Sequence, residues 1–137
     1  MRKIFKNFLL LLMFLAPFVL SGCSNDALLY FNSQPITKET VNYPSSNFAV
    51  GQKIHYVLIL PKGFKNEYIR VQIVKKEDKT NHWGYKIYQS RDFHVDTTKN
   101  YFIDYFVLGE KGYYFMQIFS FDNFDIPLAR NDFWVKG

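Results

Sequence analysis

The chain has 137 residues, of which 20% are aromatic and only one is cysteine, and a formal net charge of +5. Three of its 17 basic residues (Arg2, Lys3 and Lys6) precede position 23 and none of its 12 acids does, so the remainder carries only +2. That balance excludes the concentrated basic face of a nucleic-acid binder, and a single cysteine excludes an internal disulfide.

The first 22 residues have the layout of a secretory signal. Arg2, Lys3 and Lys6 open it, and Phe8 to Leu15 is an unbroken apolar run. The apolar stretch from Phe8 to Leu20 has 13 residues and is interrupted by Pro17. A spanning helix needs about 20, so the expectation is a cleaved helical signal peptide over 1–22 rather than a permanent anchor. Leu20-Ser21-Gly22-Cys23 follows. This stretch resembles the lipobox of bacterial lipoproteins: leucine, a small residue, glycine or alanine, then cysteine. The resemblance implies that the chain is cut before Cys23 and that Cys23 is acylated, a membrane anchor in the cell envelope. More than one acyl chain makes such an anchor stable. The resemblance also makes Ser24, in place of an aspartate, favour the outer membrane where a cell has two.

Residues 23–27 then form the lipidated cysteine and a short tether, and 28–137 form one domain, long enough for its own core. Leu28 to Phe31 reads as a first strand. Asn32 to Asn47 is polar, with Pro35 and Pro44, and is expected to hold one edge strand around Ile36 to Val41. From Val50 the alternation is regular. Ile54, Tyr56, Leu58 and Leu60 share one face, and Lys53, His55, Val57 and Ile59 the other. Pro61-Lys62-Gly63 ends this strand.

Tyr68 to Lys75 is the next, with Ile69, Val71 and Ile73 inward, and Glu77 to Asn81 reads as a charged turn. Trp83, Tyr85 and Ile87 alternate with Gly84, Lys86 and Tyr88 in a further strand, and Phe93 and Val95 add a short one. Tyr101 to Leu108 is strongly apolar, and its faces are ambiguous because Asp104 is its only charge. Gly109-Glu110-Lys111-Gly112 is a tight turn whose glycines are expected at positive φ. Tyr113 to Ser120 puts Tyr114, Met116 and Ile118 on one face. After a loop from Phe121 to Pro127, Leu128 to Lys136 puts Ala129, Phe133 and Val135 on one side and Arg130, Asp132 and Trp134 on the other.

Seven or eight short strands without a helix indicate an all-β, antiparallel sandwich, with small barrels the competing architecture. Gly112-Tyr113-Tyr114-Phe115-Met116 resembles the stretch around strand F of immunoglobulin-like domains. The resemblance makes Tyr114 a tyrosine-corner residue and puts Met116 in the cysteine position. Both cysteines of the antibody pattern and its third-strand tryptophan are missing.

No catalytic set stands out, and the chain is expected not to be an enzyme and to need no cofactor or metal. Cys23 is taken by the lipid. His55 reads as a sheet-face residue, and His82 and His94 as strand-end residues, without ligand spacing for zinc. Asp122-Asn123-Phe124-Asp125 gathers carboxylates that calcium could use, but Asx turns explain the same residues. Nothing singles out the carboxylate pair of a glycosidase. The inward face chosen for Tyr114 leaves Tyr113, Phe115, Gln117 and Phe119 outward, joined by Trp134, as a candidate binding surface. It suits a protein interface or, alternatively, a stacked glycan. The expected function is therefore a non-enzymatic envelope module or accessory subunit that binds another protein, with carbohydrate binding or adhesion as the alternative.

Overall fold

A computed structural model describes residues 27–79 and 82–137. The expected signal segment, the Leu20-Ser21-Gly22-Cys23 stretch and the expected tether up to Asp26 lie outside the described residues, as do the side chains of Asp78, Lys79, His82 and Trp83.

Eight strands follow in order: β1 (Leu28–Asn32), β2 (Asn47–Ala49), β3 (Lys53–Ile59), β4 (Tyr68–Lys79), β5 (His82–His94), β6 (Tyr101–Val107), β7 (Gly112–Ser120) and β8 (Ala129–Lys136). They build two sheets, β1-β3-β6 and β2-β8-β7-β4-β5. Every pair is antiparallel except β2 with β8. The expected alternation sets the inner faces. Ile54, Tyr56 and Leu58 of β3 meet Ile69, Val71 and Ile73 of β4, Tyr114, Met116 and Ile118 of β7, and Phe133 and Val135 of β8. Burying each such side chain contributes about 1.5–3 kcal/mol.

At the centre Phe133 touches Phe31 at 4.8 Å and Phe106 at 5.5 Å, and lies stacked on Tyr114 at 5.6 Å. The Tyr114 hydroxyl donates to the Glu110 carbonyl at 2.7 Å. That is the tyrosine corner expected of this strand, and it pins the turn that crosses from one sheet to the other.

Four expectations need correction. Ile36 to Val41 is not a strand. Thr37 and Thr40 bond each other's backbone and hydroxyls, and Asn32 Nδ2 donates to the carbonyls of Thr40 and Tyr43. The segment satisfies its backbone locally, and the edge strand comes later, at Asn47–Ala49, along the end of β8. Glu77 does not start a turn, because β4 runs on to Lys79. Phe93 belongs to one continuous β5, with Val95 just past its end.

The cause of this last error is a β-bulge. Ile73 pairs with Gln89 but Val74 with Ile87, so Tyr88 is an extra residue and the alternation changes phase there. Of the two turn glycines only Gly112 takes a positive φ, of 156°. A Cβ there would lie 2.8 Å from Lys75 Cε.

β6 is one of the two edges of the three-stranded sheet. Tyr101, Ile103, Tyr105 and Val107 are exposed on it, which settles the ambiguous faces. Asp104 points inward beside Tyr56, its cross-strand partner, and after burial its charge is the main cause that raises the Tyr56 pKa. An inward charge on an edge strand guards against indiscriminate strand addition.

The connections divide the sandwich into two ends. Ala27, the 60–67 connection, the 95–100 connection and the Phe121–Pro127 loop share one end, which we call the N-terminal end. The β4–β5 hairpin, the 108–111 connection and the close of β8 share the opposite end.

Candidate functional site

The outer face of the five-stranded sheet carries the expected binding residues, but it is not one open platform. Along β7, Phe115 is only 6% exposed and Phe119 only 7%. The Arg130 guanidinium lies 3.8 Å from the Phe115 ring centroid, and Tyr85 meets its edge at 5.4 Å. Phe119 packs beneath Phe124 at 6.4 Å. Gln117 Nε2 donates to Gln72 Oε1 at 3.0 Å. Further along, Arg70 is held by Asp92 through two bonds of 2.7 and 3.1 Å and covers Phe121 and Phe124. The middle of the face is therefore sealed by its own cation–π and ring contacts. Phe115, Gln117 and Phe119 are structural parts of the sheet rather than an open binding surface.

Tyr113 and Trp134 remain together and open. They are cross-strand partners with ring centroids 4.8 Å apart, and Trp134 is 49% exposed. The Tyr113 hydroxyl donates to Asp132 Oδ2, which fixes the ring and raises the Tyr113 pKa above its ordinary value.

Around this pair lies an open concavity of about 970 Å³ at the end opposite Ala27. One wall comes from the hairpin. The β4–β5 hairpin runs on for four residues of β4, Lys76 to Lys79, past the last pairing with β7, and Tyr85 stands on this ribbon, 60% exposed. Lys111 and Gly112 close the far side. Lys75 lines the floor with its ammonium 2.9 Å from Glu110, which lowers the Glu110 pKa. The site thus offers the exposed rings of Tyr85 and Trp134, the half-buried ring of Tyr113, lysines at its margin and the carboxylates of Glu77 and Asp132.

Sequence reasoning found Tyr113 and Trp134 and missed Tyr85, Lys75, Lys111 and the role of Asp132. Tyr85 was hidden by the bulge at Tyr88. The period-2 pattern shows no more than that Tyr85 sits on a strand, and the phase change decides its face.

The other candidates fall elsewhere. His55 lies on the outer face of β3 with Tyr105 at 5.6 Å, and partial burial followed by Lys53 lowers its pKa. His94 stacks edge-on against Tyr68 at 5.2 Å. Asn123 Oδ1 accepts the backbone N–H of Asp125 and Ile126, so the 122–125 stretch is an Asx turn. Among the described residues no three His, Cys, Asp or Glu side chains converge. A second concavity, of about 270 Å³, lies at the N-terminal end between Lys62, Lys65 and Asp122.

Two facing sheets, the strand order and the tyrosine corner define an immunoglobulin-like β-sandwich. The fold is similar to that of an immunoglobulin-like protein from Pseudomonas aeruginosa, at 13% identity and a TM-score of 0.52, over 82% of this chain and 94% of that one. The soluble domain of PmoD from Methylocystis sp. gives 8% identity and a TM-score of 0.48, over 82% of this chain and 93% of that one. No family model and no curated protein matches the sequence.

Proposed function

We propose that this chain is a non-enzymatic lipoprotein of the cell envelope, held by an acylated Cys23, that binds another envelope protein through the Tyr85–Tyr113–Trp134 concavity. The observation that carries the reading is the position of that concavity at the end opposite Ala27, facing away from a lipid on Cys23. Exposed tryptophan and tyrosine are the side chains in which protein interfaces concentrate their affinity. Here Asp132 and the sealed Phe115–Arg130 layer beneath hold them in place.

In-cell crosslinking of the full-length protein, followed by mass spectrometry, tests this. The expected result is one dominant envelope protein, lost in Trp134→Ala and in Cys23→Ser. Cys23→Ser should also leave the membrane fraction. Its retention there after a salt wash would defeat the anchor, and a partner unaffected by Trp134→Ala would defeat the site.

A second reading, a carbohydrate-binding or adhesion module, is favoured by the same Tyr113–Trp134 ring pair beside Asp132. Trp134 fluorescence in a Trp83→Phe background distinguishes the two. A shift with soluble glycans supports this reading, and an unchanged spectrum across a broad panel removes it.

A further inference from the structure

We propose that the N-terminal end of the sandwich rests directly on the lipid bilayer, with the Phe121–Pro127 loop seated among the headgroups. This rests on the lipid anchor proposed above. Cys23 is four residues from Ala27. At about 3.3–3.6 Å per residue the tether spans at most about 14 Å. Ala27 packs against the core and β1 starts at the next residue, so the domain cannot swing away on a long linker. The gap is too shallow for a folded partner, since a 100-residue domain has a radius of gyration of about 13 Å. What this end meets is therefore lipid.

The side chains there suit that contact. Leu28, Tyr68, Tyr101, Phe124 and Ile126 are all exposed large apolar residues, and they ring the end on which the tether arrives. Ile126 is the most prominent, at 69% exposed. The Asn123 Asx turn and the Asn123 N–H bond to the Ser120 carbonyl hold its loop in shape. Tyrosine suits the membrane–water boundary because its ring is apolar and its hydroxyl wet. Charge does not drive the contact. Lys62, Lys65 and Lys99 at this end are matched by Glu67, Asp96, Asp122 and Asp125. The seating is apolar and needs no anionic lipid.

The test uses the full-length acylated protein reconstituted in phosphatidylcholine vesicles. The thiol of Cys23 carries the lipid, so Ile126→Cys and, separately, Lys136→Cys each offer one thiol for a nitrobenzoxadiazole probe. Lys136 closes β8 at the opposite end. Headgroup-level spin-labelled lipid is expected to quench the probe at 126 several-fold more than the probe at 136, and high salt should not reduce the difference. Vesicles that float with the protein but quench both probes equally overturn the seating and leave the anchor standing. Protein that fails to float with vesicles overturns the anchor and the seating together.

Discussion

Tyr114 joins the core to the turn that carries the candidate site, and two substitutions separate its contributions. Its ring is fully buried, stacked on Phe133 and edge-on to Tyr88 at 5.7 Å. Tyr114→Phe keeps those contacts and removes only the 2.7 Å bond to Glu110. Glu110 is in an exposed turn, so its carbonyl regains water, and the expected cost is about 1 kcal/mol. Tyr114→Ala removes the ring from a site that cannot collapse fully and is expected to cost about 3–5 kcal/mol. Unfolding entropy near 2.1 cal/mol/K per residue over a domain of this size makes the first a fall of roughly 4 °C and the second roughly 13–20 °C.

Thermal unfolding by circular dichroism, on a soluble form beginning at Ser24, measures both. The pH dependence adds a check. Burial first, then Tyr88 and Glu110, push the Tyr114 hydroxyl up to about 12 from 10.0. The unfolded chain loses this proton first, so stability falls as pH rises between those values, and Tyr114→Phe should weaken that fall. An unchanged melting temperature in Tyr114→Ala would refute the inward face of β7. A loss in Tyr114→Phe as large as in Tyr114→Ala would refute the division between ring and hydroxyl.

Burial, followed by the Asp104 charge, raises the Tyr56 pKa above its ordinary 10.0, so the unfolded chain loses that proton first and stability falls as pH rises above about 10. Asp104→Asn removes the charge and should make that fall shallower, and chemical denaturation that shows an unchanged slope would refute the pairing. His55 titrates below its ordinary 6.5 in the folded chain. The unfolded chain therefore takes the proton first, and stability falls as pH drops below about 6.5 until the folded-state value is passed. His55→Gln should flatten that part of a melting-temperature profile, and an unchanged slope would show that His55 contributes nothing there.

Much of the fold was legible because burial on one face of a strand imposes a period of two. Ile54, Tyr56 and Leu58, then Tyr114, Met116 and Ile118, then Phe133 and Val135 all declare their face, and all lie in the core. The Gly-x-Tyr spacing at Gly112–Tyr114 likewise marks a real hydrogen bond. The Pro35–Val41 segment misled because its threonines serve the local backbone, which leaves no alternation to read. The candidate site was legible only in part. Trp134 and Tyr113 follow from the outward face. The covering of Phe115 by Arg130 and of Phe119 by Phe124 depends on contacts between residues 15 and 5 positions apart, whose geometry no periodicity encodes.

The bulge at Tyr88 is where fold and site meet. Below it, Phe93 points inward and packs on Phe102 of the opposite sheet at 5.2 Å, so β5 helps close the core. Above it, Tyr85 points outward, onto Phe115 and into the concavity. Both residues are odd-numbered, and in an unbroken strand both would share one face. One extra residue therefore lets a single 13-residue strand serve the core at one end and the open surface at the other. Bulges concentrate where a side chain must be re-aimed. Here the re-aimed side chain is the third ring of the candidate site, on the part of the hairpin that projects beyond β7. The extra residue itself lies on the edge strand β5, opposite Ile73 and Val74, and the pairing of those two residues with Met116 and Phe115 of β7 continues past it unbroken.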